Sequence, residues 1–108
     1  MTVKAILGDK GRDVVTQSPD ATVGEICATL ATRKIGAVVI THPDGSIAGI
    51  ISERDVVRAI AQEGPDAIAR KASAYMSRQV VTCREEDTIH EVMTRMTAGR
   101  FRHLPVMR

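Results

Sequence analysis

Residues 14–40 and 80–106 are two imperfect copies of one segment. An offset of 66 residues carries Val14-Val15-Thr16 onto Val80-Val81-Thr82, and Thr22…Glu25 onto Thr88…Glu91, without a gap. Only five of the 27 aligned pairs are identical, so the likeness lies in residue class. Val23/Ile89, Ile26/Val92, Cys27/Met93, Leu30/Met96, Val38/Leu104 and Ile40/Val106 all keep apolar side chains. A supersecondary unit written twice generally cannot bury its apolar face alone, so a shared core is expected. Such a pair implies two clefts related by a pseudo-twofold axis. The 108 residues hold one such pair and a modest core.

The local signals predict the same order of elements in each copy. Val14–Thr16 reads as a short β-branched strand, and Pro19-Asp20 turns the chain. Thr22 with Glu25 has the spacing of a capping box, followed by Val23, Ile26, Cys27 and Leu30 at helical intervals. That helix is expected to end near Lys34. Pro43-Asp44-Gly45 is a turn signal inside 37–51, which predicts a hairpin. Ser52-Glu53-Arg54-Asp55 opens a second helix with Val56, Val57 and Ile60 expected on its buried side. Gly64-Pro65 ends it, and Ala67–Met76 reads as a short linking helix. The second copy predicts a strand at 80–82, a helix at 88–98 and a strand over 101–107. By the same offset, the closing turn, strand and helix of that copy would fall at 109–127, so the natural chain is expected to continue.

Bulk composition excludes more than it assigns. Apolar residues are 44% and charged residues 26%, with a net charge of +2. Beyond Glu91 there is no acid, while Arg95, Arg100, Arg102 and Arg108 follow, a run that is either a solvated face or a phosphate-facing one. Tyr75 and Phe101 are the only aromatics, too few for a single-strand stacking platform, and nucleic acid is not expected. Neither a signal peptide nor a membrane span is legible. Cys27 and Cys83 stand outside any CxxC, which points to a reducing cytoplasm. His42, His90 and His103 lack ligand-spaced partners, so no metal site is assigned, and no catalytic residues are assigned either. His90 beside Glu91 is expected to be solvent-exposed.

The stretch Gly49-Ile50-Ile51-Ser52-Glu53-Arg54-Asp55 concentrates the remaining chemistry. An apolar strand ends, a hydroxyl follows, and a carboxylate stands on the first turn of a helix. Free N–H groups at a helix start attract anions, an Asp can accept both hydrogens of a vicinal diol, and Arg54 can pair with phosphate. The same residues also suit a plain helix cap. Composition alone leaves both readings open.

Two copies of strand–helix–strand–strand–helix, each opening on Val-Val-Thr, resemble a CBS domain pair, or Bateman module. The first copy carries the family's Gly-apolar-apolar-Ser-x-x-Asp ending as Gly49–Asp55. The second carries its Arg-His-Leu-Pro-Val strand as Arg102–Val106, and Met76 just ahead of Val80 is also typical. The resemblance implies an α+β fold of tandem CBS repeats packed about a pseudo-twofold axis. It divides the chain into an N-terminal segment 1–13, a first repeat 14–61, a linker 62–79 and an incomplete second repeat 80–108.

It further implies a nucleotide site built from Ser52, Arg54 and Asp55 of the first copy, and Met76, Val81, Phe101, Arg102, His103 and Pro105 from the linker and second copy. A possible second half-site takes Lys10, Val15, Ile35, Gly36 and Ala37, while its Ser-x-x-Asp ending would fall beyond residue 108. The implied function is a non-catalytic regulatory sensor of an adenine nucleotide (AMP, ADP, ATP or NAD), assembling as a homodimer. The arginines disfavour S-adenosyl methionine. The alternative is a structural dimerisation module with an empty cleft.

Overall fold

A computed structural model describes residues 1–10, 14–99 and 103–107. The chain divides into two units: Val14–Gln79, and the Met1–Asp13 segment together with Val80–Arg108. Each carries a hydrophobic cluster of its own.

In the Val14–Gln79 unit, β1 (Thr16–Gln17) pairs in parallel with β2 (Ala37–Thr41), which pairs antiparallel with β3 (Ile47–Ser52). The expected hairpin is therefore present, and the first strand, expected over Val14–Thr16, begins two residues later and ends one residue later. Helix α2 (Val23–Arg33) crosses from β1 to β2 and buries Val23, Ile26 and Leu30, the positions its periodicity selects. They meet Val38, Ile40 and Ile51 of the hairpin in the core. Burial of each such side chain contributes about 1.5–3 kcal/mol, which makes this stripe the main reason α2 stays on the sheet. Thr22 Oγ1 accepts the Glu25 N–H, but Glu25 reaches back to the Thr22 hydroxyl at 3.3 Å. The expected box is thus half formed here. Lys34 ends the helix in the left-handed region at φ 54°.

Helix α3 (Glu53–Glu63) differs from expectation in its buried side. Val56 and Ala59 face inward, while Val57 is 66% and Ile60 40% exposed. One helical step turns a side chain by about 100°, so Val57 cannot share the face of Val56. The small Ala59 faces the core instead. Gly64, at φ 70°, ends α3. The expected linking helix is two short 3-10 turns, Gly64–Ala69 and Ala72–Ala74, with Arg70 and Lys71 extended between them. That extension lets Lys71 bridge to Thr22. Glu63 then accepts both the Tyr75 hydroxyl and the Arg70 guanidinium, fastening the turns to the end of α3.

The other unit has helix α1 (Val3–Lys10), strand β4 (Cys83–Arg84), helix α4 (Ile89–Gly99) and strand β5 (Val106–Met107). β4 pairs in parallel with β5, Cys83 opposite Val106, and the pairing falls after the expected 80–82. Of the expected strand 101–107, the pairing at Val106–Met107 is seen, and Phe101 and Arg102 lie outside the described residues. Val3, Cys83 and Val92 are buried, with Leu7, Ile89, Met96, Leu104 and Val106 packed on them. Met93, one step round from Val92, is exposed, as is His90. Thr88 and Glu91 complete their capping box, and Asp87 receives the Arg84 N–H and the Arg95 guanidinium. Those donors hold the Asp87 carboxyl below the usual carboxylate range.

The two units share one further feature, which the sequence repeat does not announce. In the first, Val23 N–H donates to Arg70, Ala72 N–H to Ala21 and Ser73 N–H to Pro19. In the second, Ile89 N–H donates to Met1, Val3 N–H to Asp87 and Lys4 N–H to Glu85, in the same order and register. The bridges Thr22–Lys71 and Thr88–Thr2 complete the correspondence. Each repeat is therefore strapped by the segment that precedes the other one, residues 70–77 on the first and 1–7 on the second. Ala72 and Val3 are the equivalent buried anchors.

The first strap continues to β3, where Ser77 and Ile50 exchange both backbone hydrogen bonds at 2.9 and 3.0 Å. Gly49 permits this approach, because a Cβ there would meet the Ser77 carbonyl oxygen at 2.6 Å and Met76 Sδ at 2.9 Å. Gly49→Ala is accordingly expected to destabilise the Val14–Gln79 unit by about 1–3 kcal/mol, the usual cost of overpacking. Urea unfolding measures this; an unchanged midpoint would show that the strap does not lie on the strand.

Candidate functional site

Strand β3 delivers Ser52 to the N-cap of α3 in an extended conformation. From there the Ser52 N–H donates to Asp55 Oδ2 at 2.8 Å and the Ser52 hydroxyl donates to the same oxygen at 3.0 Å. Asp55 N–H in turn donates to Ser52 Oγ at 3.3 Å, closing a full capping box. The carboxylate is thereby held by one oxygen. Among the described residues, Oδ1 makes no hydrogen bond, so one acceptor oxygen is fixed in place and unengaged.

The helix start is less open to anions than its sequence suggests. Glu53 N–H donates to the Gly36 carbonyl at 3.0 Å and Asp55 N–H is taken by Ser52. The first turn carries two acids, Glu53 and Asp55. Positive charge there comes from Arg54, which is exposed and, among the described residues, forms no ion pair. The end of β3 therefore offers a fixed carboxylate oxygen and one exposed guanidinium. That combination suits a polyol bearing a phosphate better than a bare anion.

The hairpin also brings Ala37 opposite Ser52, with Gly36 and the half-buried Ile35 just ahead of it. Three residues of the expected second half-site thus lie beside Ser52 and Glu53 at one end of the β2–β3 ladder. Val15 is half-buried, its carbonyl accepting the Val39 N–H, and it lines a groove of about 580 Å³ with Thr16, Gln17, Thr29 and Thr32. Gln17 Oε1 is buried, with no hydrogen-bond partner among the described residues. Lys10 is the last residue of α1, and its side chain lies outside the described residues.

Met76 is 8% exposed and belongs to the core of the Val14–Gln79 unit, stacked against bare Gly49. In the other unit Val81 and Pro105 are half-buried and His103 is exposed. The Pro105 carbonyl accepts the Cys83 N–H at 3.0 Å, so the residue serves the β4–β5 ladder. Phe101 and Arg102 lie outside the described residues. Burial pushes the Cys83 thiol up, which keeps it protonated and a poor nucleophile at neutral pH. Among the described residues, no group of acids, His and Cys could hold a metal ion. Sequence reading missed Ser77 and the docking role of Gly49; the glycine itself, placed inside an apolar strand, is the signal of a close backbone approach.

A strand–helix–hairpin–helix unit with a capped Ser-x-x-Asp end, followed by a strand–helix–strand copy, defines a tandem-repeat module. The CBS domain model matches residues 4–62 and 72–108, and the chain belongs to the CBS-domain family. A CBS-domain protein of Agrobacterium tumefaciens is 46% identical, with a TM-score of 0.96 over all of this chain and 86% of that one. A Pyrobaculum aerophilum CBS domain protein, solved in complex with AMP, is 25% identical, with a TM-score of 0.87 over all of this chain and 79% of that one. An uncharacterised Methanopyrus kandleri protein is 34% identical over 89% of this chain, which spans 49% of its length. The fold is thus the mixed α+β one of tandem CBS repeats.

The Ser52–Asp55 box gives a direct expectation. Ser52→Ala removes a cap and one of the two donors on Oδ2, so it should cost about 1 kcal/mol of stability, whereas Ser52→Thr should retain it. Thermal unfolding of both variants checks this; equal loss in Ala and Thr would contradict the box.

Proposed function

We propose that this chain is a non-catalytic regulatory module that binds an adenine nucleotide: AMP, ADP, ATP or NAD. The observation that carries the reading is Asp55 Oδ1, an acceptor held in place by its partner oxygen and left for a ribose diol. Arg54 supplies the phosphate contact. The Pyrobaculum relative in complex with AMP supports the ligand class. The family resemblance adds Met76, Val81, Phe101, Arg102, His103 and Pro105 as the base- and phosphate-facing set. Buried Met76 enters it as a floor rather than a free side chain.

The proposal includes a homodimer, for which Val57, Ile60 and Ile68 provide exposed apolar surface. A cytoplasmic setting fits the two free cysteines. Among the described residues, no helix is long and apolar enough to cross a membrane. The alternative, a structural dimerisation module, draws support from one fact: Ser52 and Asp55 already satisfy each other as a cap.

The two readings part in a melting experiment. AMP, ATP or NAD at about 100 times its dissociation constant should stabilise the protein by about 2.7 kcal/mol, and Asp55→Ala should abolish that gain. Absence of a shift with every adenine nucleotide would favour the structural module.

A further inference from the structure

We propose that Met76-Ser77 forms a ligand-responsive latch on the β3–α3 junction, so that a nucleotide at Asp55 fastens the segment leading into the second repeat. The proposal rests on the reading of Ser52–Asp55 as the nucleotide end.

The latch is small and specific. Ser77 meets β3 through one isolated bridge, donating to the Ile50 carbonyl and accepting the Ile50 N–H. The strap before it is a short 3-10 turn, and the next residues, Arg78 and Gln79, are exposed. A one-residue bridge between such neighbours belongs to the part of a fold that opens locally at a cost well below global unfolding. Its docking place is nevertheless demanding, since only a residue without Cβ at position 49 admits Met76 and the Ser77 carbonyl.

The bridge also sits close to the site. Ile50 is two residues from Ser52, and the residue between them, Ile51, is fully buried. With Ser77 docked, β3 is paired on both edges, with β2 on one side and with Ser77 on the other. With Ser77 released, the outer edge of Ile50 is bare next to the cap that positions Asp55, and Met76 loses its place on Gly49. A nucleotide that uses Asp55 and the Met76 floor binds the docked state better. It therefore shifts the population toward docking, and docking raises its affinity by the same factor.

Amide exchange followed by NMR on the 108-residue chain, with and without AMP, tests this. Saturating AMP should slow exchange at Ser77 and Ile50 about tenfold or more, within the usual range of such couplings. His42 and Gly45, bonded within the distant hairpin tip, should not change. Ser77→Pro, which deletes the donor to Ile50, should weaken AMP binding by the factor seen in exchange. AMP binding by titration with unchanged exchange at Ser77 and Ile50 would overturn the latch and leave the site standing. Failure of AMP, ADP, ATP and NAD to bind at all would overturn the site and the latch together. The exchange measurement decides on the wild-type chain even if Ser77→Pro does not fold.

Discussion

The hold of Ser52 on one oxygen of Asp55 organises the junction of β3 and α3. The two Ser52 donors, one backbone and one hydroxyl, converge on Oδ2. They start α3, and they fix where the carboxylate points. A cap and a binding group are usually alternative explanations for such a residue pair. Here the cap leaves Oδ1 unengaged among the described residues, so both roles fit one carboxylate. The cap supplies the preorganisation that a diol contact needs.

Around that point the fold relies on backbone more than on side-chain ingenuity. Each repeat is strapped by the segment preceding the other, through matching hydrogen bonds at Val23 and Ile89, Ala72 and Val3, Ser73 and Lys4. The chain thereby distributes the completion of each unit to a distant stretch of sequence. In the first unit the strap ends on Gly49, where the lack of a side chain lets Met76 fill the core and Ser77 join the strand. The Gly-apolar-apolar-Ser-x-x-Asp signature then has two physical halves. The glycine admits the strap, and the Ser and Asp build the cap.

Much of this was legible from residue pattern. The repeat, the α2 stripe of Val23, Ile26 and Leu30, the hairpin and the Ser52 helix start all follow from strong local signals. The reading failed where tertiary packing chooses among near-equal candidates. Val57 and Ile60 are as apolar as Val56, yet helix geometry gave the inner face to Val56 and Ala59. Ala67–Met76 has helical composition, but Pro65 and the pairing of Lys71 with Thr22 divide it into turns. The helical state of Val3–Lys10, and its use by the second repeat, depend on partners about 80 residues away. No local pattern reports such a pairing.

The diol contact at Asp55 is the central claim, and a pair of ligands differing by one hydroxyl tests it most directly. Calorimetric titration with AMP and with 2′-deoxy-AMP isolates the ribose hydroxyl from base and phosphate. Loss of a hydrogen bond to a charged group costs about 1.5–3 kcal/mol, so the deoxy ligand should bind at least about tenfold more weakly. That gap should vanish in Asp55→Ala. Equal affinities of the wild-type protein for both ligands would contradict the account.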